Sequence, residues 1–76
     1  MSATEVTAAR YYVARTDGRL DRAANLYDAV SYANHLYDNG VIAPLVVRAA
    51  NADAARVKAQ RCYDGEITCR QARSGG

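Results

Sequence analysis

Cys62 and Cys69 are the only cysteines, and His35 the only histidine, in a chain of 76 residues. Two thiols and one imidazole are too few for a four-ligand zinc site within one chain. A nucleophile–base pair would need His35 beside a Cys or Ser, with a carboxylate orienting the ring. Asp38, one helical turn on, can orient it, but the sequence supplies no activated nucleophile. The glycines fall in two Asp-Gly turns, one helix stop and the terminal Gly75-Gly76, so no phosphate-cradling loop is written here. The expectation is a chain that is not an enzyme and that carries no metal and no cofactor.

The two cysteines straddle Asp64-Gly65. If that dipeptide is a hairpin turn, Cys62 faces Ile67 and Cys69 stands on the diagonal. A diagonal of roughly 7 Å is too wide for a disulfide. If Gly65-Glu66 makes the turn, Cys62 and Cys69 stand opposite each other as a candidate disulfide pair. Two reduced thiols filling a small core are the plainer alternative, and the spacing lacks the short C-x-x-C loop that tunes a thiolate.

Tyr and Arg supply the remaining chemistry. Tyr27 and Tyr32 flank the apolar stripe of a helix, and Arg15, Arg19 and Arg22 cluster just before it. Tyr and Arg are over-represented at interface hot spots, so these five residues form the expected partner-binding patch. Arg56, Arg61 and Tyr63 form a second candidate surface. Arg beside Tyr on a sheet can also bind RNA by stacking and phosphate contact, although Asp17, Asp21 and Asp64 dilute the positive field.

Net charge is +2, too mild for a dedicated nucleic-acid coater. Arg accounts for nine of the ten cations, and Lys58 stands alone. Abundant Ala, Arg, Gly and Asp with scarce Lys is what a GC-rich genome produces. Of the 50% hydrophobic residues a large share is Ala, and Phe and Trp are absent. Tyr must therefore provide bulk, each ring bringing a hydroxyl that needs a partner. A thin core of this kind leaves an apolar sheet face for a second copy to cover, so a homodimer is expected. The first residues carry neither a basic patch nor an apolar stretch, and no run is long enough to span a bilayer. The expected compartment is the cytoplasm.

These residues must be held by a small number of elements. Leu26, Ala29, Val30, Ala33, Leu36 and Tyr37 recur at helical spacing, with Asn25 as cap and Gly40 as stop. They predict one main helix over residues 25–39. Ahead of it, the run from Ala8 reads as a strand, and Asp17-Gly18 as a two-residue hairpin turn. That turn sets Arg15 opposite Leu20 and Val13 opposite Arg22, with Tyr11, Val13 and Leu20 on one face. Val41 to Ala50 reads as a central strand, with Pro44 near its start. Residues 52–63 carry both a helical composition and a strand-like alternation. The alternation, leading into Asp64-Gly65, favours a second hairpin. The predicted architecture is α+β: ββα followed by two to three further strands, one antiparallel sheet with the helix packed on it. Residues 1–7 are expected as a flexible start, 8–72 as one domain and 73–76 as a disordered tail.

Two family resemblances follow from this layout. The length, the ββα start and Gly75-Gly76 resemble ubiquitin-like carriers, which implies activation of the C-terminal glycine; Arg70-Gln-Ala-Arg-Ser departs from their usual tail. The very small α+β layout with a mixed Arg/Tyr/Asp surface is similar to phage-encoded anti-CRISPR proteins. That resemblance implies a stoichiometric inhibitor that occludes a host protein or ribonucleoprotein complex, and it carries over no individual residue. A non-catalytic binding or inhibitory protein from a phage or mobile element is the function expected, with weak RNA or DNA binding through the Arg clusters as the alternative and no membrane partner.

Overall fold

The computed structural model describes residues 10–74. The stretch 1–7 and Gly75-Gly76, on which the expected flexible start and the carrier resemblance rest, lie outside the described residues. The elements in order are β1 (Arg10–Ala14), β2 (Leu20–Ala23), α1 (Leu26–Asp38), β3 (Leu45–Ala49), α2 (Ala52–Tyr63) and α3 (Cys69–Arg73). The fold is α+β, built on a three-stranded antiparallel sheet in the order β2-β1-β3.

Helix α1 forms where the sequence places it. The Asn25 side chain accepts the Asp28 N–H at 2.8 Å, a cap that contributes about 1 kcal/mol. At the other end Val41 N–H donates to Leu36 O at 2.9 Å and Gly40 N–H to Tyr37 O at 3.1 Å. This is the Schellman pattern, which satisfies carbonyls the helix leaves open. Ala29, Ala33 and Leu36 are buried. Leu26 and Tyr37, counted in the expected stripe, are instead exposed, because they lie along one edge of it, turned away from the line of Ala29, Ala33 and Leu36 that meets the sheet.

The first hairpin differs from expectation by one residue. Tyr11 pairs with Ala23, Val13 with Asp21 and Ala14 with Leu20. The loop holds three residues, Thr16, Asp17 and Gly18. It is closed by Arg15 N–H to Arg19 O at 3.0 Å and Gly18 N–H to Arg15 O at 3.1 Å, with Gly18 at φ +92°. A type I turn followed by a left-handed glycine is the second common hairpin solution. A slip of one turns every β2 side chain over. Leu20 therefore packs with Tyr12 and Ala14 rather than with Tyr11 and Val13.

The second hairpin does not form, and residues 52–63 are helix α2. Asn51 accepts the Ala54 N–H at 2.8 Å. Asp64-Gly65 is not a hairpin turn but a helix stop: Glu66 N–H reaches Arg61 O at 2.8 Å and Gly65 N–H reaches Cys62 O at 3.0 Å. Gly65 adopts φ +84°, a left-handed value that costs most side-chain-bearing residues about 1–2 kcal/mol. One strand and two helices thus follow α1, in place of the expected strands. Arg73 ends α3, and Ser74 caps it through its N–H to Gln71 O.

Strand β3 is also placed differently: it is an edge, and β1 is central. Its apolar run Leu45-Val46-Val47 is explained by burial on both faces. Val46 joins Val13 against Ala29, Ala33 and Leu36 of α1. On the opposite face Tyr12, Ala14, Leu45, Val47 and Ala49 pack with Ala55 and Ala59 of α2 and Ala72 of α3. The apolar sheet face expected to await a second copy is therefore covered by helices of the same chain. Alanine makes this possible, since a helix face of small side chains lets its backbone approach the sheet while Tyr and Val of the sheet fill the layer.

Candidate functional site

The turn of the first hairpin overhangs α2, and a groove of about 240 Å³ runs between them. Arg56, Ala59, Gln60 and Tyr63 share one face of α2, being spaced by three, four and seven residues. They form one wall. The other is Ala14 to Thr16 with Gly18 to Leu20. Ala14, Leu20, Ala59 and the ring of Tyr63 make an apolar floor, while Arg19, Arg56 and Gln60 supply polar groups at the rim.

Local hydrogen bonds fix the rim. Arg56 Nη1 donates to Gly18 O at 3.1 Å, tying α2 to the tip of the hairpin. Asp17 turns back on the loop, accepting the Arg19 N–H at 3.0 Å and lying 3.5 Å from Arg19 Nε. The Arg19 side chain is mostly exposed, so this pair is weak and exchangeable. At the deep end the Tyr63 hydroxyl lies 3.1 Å from Ala14 O and 2.9 Å from Ala43 O. Burial raises the Tyr63 pKa, and the neighbouring Cys62, Cys69 and Asp17 add to the rise.

Arg15 borders the groove, but its guanidinium turns to the α1 side of the sheet. Nη2 donates to Asp21 Oδ2 at 3.0 Å and to Tyr32 Oη at 2.8 Å, and the Tyr32 hydroxyl donates to the same Asp21 oxygen at 3.2 Å. The Arg15 side chain is only 17% exposed, and its buried Nε has no hydrogen-bond partner. Burial opposes the Arg15 charge. The Tyr32 hydrogen bond and the Asp21 and Asp17 carboxylates outweigh it, so its pKa lies above the usual arginine value. The three side chains lock the hairpin to α1.

The structure thus regroups the residues singled out from the sequence. Arg15 and Arg19 of the first patch meet Arg56 and Tyr63 of the second surface at one groove. Tyr32 is committed to Arg15 and Asp21. Tyr27 is 79% exposed at the start of α1 and touches neither cluster. Arg22 lies on β2 beside a shallower depression shared with Asp21, Asp28 and Tyr32. Arg61 leaves the groove to pair with Glu66 at 3.4 Å. Cys62 and Cys69 are free thiols, and His35 is exposed beside Asn39.

Gln60, Ala59 and Leu20 are groove residues that the sequence did not reveal. The spacing of Arg56, Ala59, Gln60 and Tyr63 is the signal that marks them, and it becomes visible only once 52–63 is taken as a helix. Lys58, on another face of α2, donates to Arg48 O at 2.9 Å and Ser74 O at 2.7 Å, fastening the end of α3 to the β3 edge. Among the described residues no cluster of His, Cys, Asp and Glu has the form of a metal site. No described helix is long and apolar enough to cross a membrane. No protein-family model matches the chain, and neither a curated protein nor a solved structure was found to be similar to it.

Proposed function

We propose that the chain is a non-catalytic binding protein that acts stoichiometrically on a protein or ribonucleoprotein target, as the anti-CRISPR inhibitors it resembles in layout do. The observation that carries this reading is the groove between the hairpin and α2. An apolar floor with Arg19 and Arg56 at its rim suits an acidic side chain and the apolar residue beside it on a partner surface. Arg56 is already held by its bond to Gly18 O, so little ordering of that side chain is needed on binding.

The test uses tagged protein to capture its target from host extract, followed by titration of the purified pair. Arg19→Ala with Arg56→Ala should weaken binding by about 2 kcal/mol or more, as hot-spot truncations do, a larger loss than the about 0.5–1.5 kcal/mol of stability that goes with the Arg56 bond to Gly18 O. Equal binding by parent and double variant would remove the groove from the interface. Weak nucleic-acid binding through the exposed Arg side chains is the competing outcome. It would show as nucleic acid in the captured complex and affinity falling steeply with salt.

A further inference from the structure

The sheet has two edges, and they are finished differently. In the order β2-β1-β3 the outer strands are β2 and β3. At β3, Pro44 precedes the first residue, and Lys58 Nζ donates to Arg48 O at 2.9 Å. Proline and lysine are common guards of an exposed edge. Strand β2 has no such guard among the described residues. Arg15 N–H bonds to Arg19 O, and Asp21 and Ala23 oppose Val13 and Tyr11. Along an antiparallel strand the backbone groups point alternately to either side. Arg19, Asp21 and Ala23 therefore turn theirs to β1, while Leu20 and Arg22 turn N–H and C=O outward.

A depression lies on each side of this open edge. On the α2 side Leu20 lines the groove beneath the hairpin turn, and Arg22, opposite Tyr12, follows on the same face. On the α1 side is the shallower depression of Asp21, Asp28 and Tyr32, with Arg22 at its border. Arg22, Arg56 and Asp28 enter no ion pair among the described residues. The charge left open is thus positive on one side of the edge and negative on the other.

We propose that the β2 edge is a docking site for an extended segment of a partner protein, which adds to the sheet as a further strand. The proposal rests on the reading of the chain as a binding protein and extends its groove to the partner's backbone. The segment pairs with Leu20 and Arg22 and sends alternate side chains to the two sides. Those on the α2 side are apolar against Leu20 and acidic beside Arg22 and Arg56. Those on the α1 side are basic, toward Asp28. A second copy of the chain fits worse. Antiparallel pairing of two β2 edges sets Asp21 opposite Asp21 or Arg22 opposite Arg22, and like charges directly opposite are unfavourable. The remaining register pairs Leu20 alone.

The probe is the peptide acetyl-Thr-Glu-Lys-Leu-Lys-Glu-Thr-amide, which reads alike in both directions and suits either strand orientation. With its Leu opposite Leu20, its glutamates fall opposite Arg22 and Gly18, the latter beside Arg56. The control, acetyl-Thr-Lys-Glu-Leu-Glu-Lys-Thr-amide, has the same composition with the charges exchanged between the sides. Each is titrated into the isotope-labelled full chain, and amide exchange is followed by NMR. In the free chain the Leu20 and Arg22 amides should exchange faster than that of Asp21. Saturating probe should slow those two amides by about tenfold or more, and the control should bind more weakly by about fivefold or more. Arg22→Pro should weaken the probe by about fivefold or more relative to Arg22→Ala. Both lose the guanidinium, so the difference reads the outward N–H, and the exchange result on the parent chain stands whether or not Arg22→Pro folds. Two amides that stay fast with the probe, equal binding of probe and control, or protection that grows with chain concentration alone overturns the proposal. The groove is tested apart from the edge. A target whose capture depends on Arg19 and Arg56 while Leu20 and Arg22 stay fast in its complex keeps the groove and removes the added strand. Edge protection by the probe with capture indifferent to Arg19 and Arg56 keeps the strand and removes the groove.

Discussion

The hydroxyl of Tyr63, in the last turn of α2, lies 2.9 Å from the carbonyl oxygen of Ala43, in the loop that leads into β3. It is also 3.1 Å from Ala14 O at the end of β1, and its one hydrogen is shared between two acceptors from separate parts of the chain. Tyr63→Phe removes that donor and leaves two carbonyls to find other partners. It should lower stability by about 1–3 kcal/mol, measured by urea unfolding.

Tyr63 also makes stability depend on alkaline pH. Because its pKa is raised in the fold, it holds its proton more tightly folded than unfolded. Its contribution is complete below the ordinary tyrosine value near pH 10 and fades as pH climbs through the raised folded value. The difference in melting temperature between parent and Tyr63→Phe should therefore be constant at neutral pH and narrow above about pH 10. A gap that widens there would contradict the assignment.

Ala43 is the one non-glycine with positive φ among the described residues, at +49°, and it is followed by Pro44. Glycine adopts this conformation without the Cβ clash. Ala43→Gly should therefore hold or raise the unfolding free energy, by up to about 1 kcal/mol, where most glycine substitutions lower it.

Arg15 and Tyr32 should be energetically coupled, since they share Asp21 and join the hairpin to α1. In a double-mutant cycle with Arg15→Met and Tyr32→Phe, the interaction energy should fall in the range of about 0.5–3 kcal/mol. Additive effects would mean that the three groups act separately.

Leu36 is buried on α1 and His35, beside it in sequence, is exposed. Leu36→Ala should cost about 2–5 kcal/mol through the cavity it leaves, and His35→Ala almost nothing. Circular-dichroism melts that ranked them the other way would overturn the packing of α1 on Val13 and Val46.

Much of this fold is legible from local chemistry. Asn25, the apolar spacing and Gly40 determine α1 because cap, stripe and stop all act within a few residues. Pro44 sits just before β3, as a residue without an amide donor should. Asp64-Gly65 shows the limit of such signals. An Asp-Gly pair serves equally as a hairpin turn or a Schellman stop, since both need only a left-handed glycine. The alternation of Ala55, Val57 and Ala59 then suggests a strand, but the Asn51 cap and the α2 packing decide for helix.

The sequence by itself determined the α+β class, the first hairpin's existence and the extent of α1. Tertiary structure alone decided the rest. Whether Leu20 faces Tyr12 or Tyr11 depends on one residue of loop length, and whether β3 is central or at an edge depends on which strand it pairs with. The groove joins Arg19 to Arg56 and Tyr63 across a separation of 37 residues and more. No local pattern encodes that meeting, because it follows from α2 burying Ala55 and Ala59 against the sheet face on which Leu20 lies.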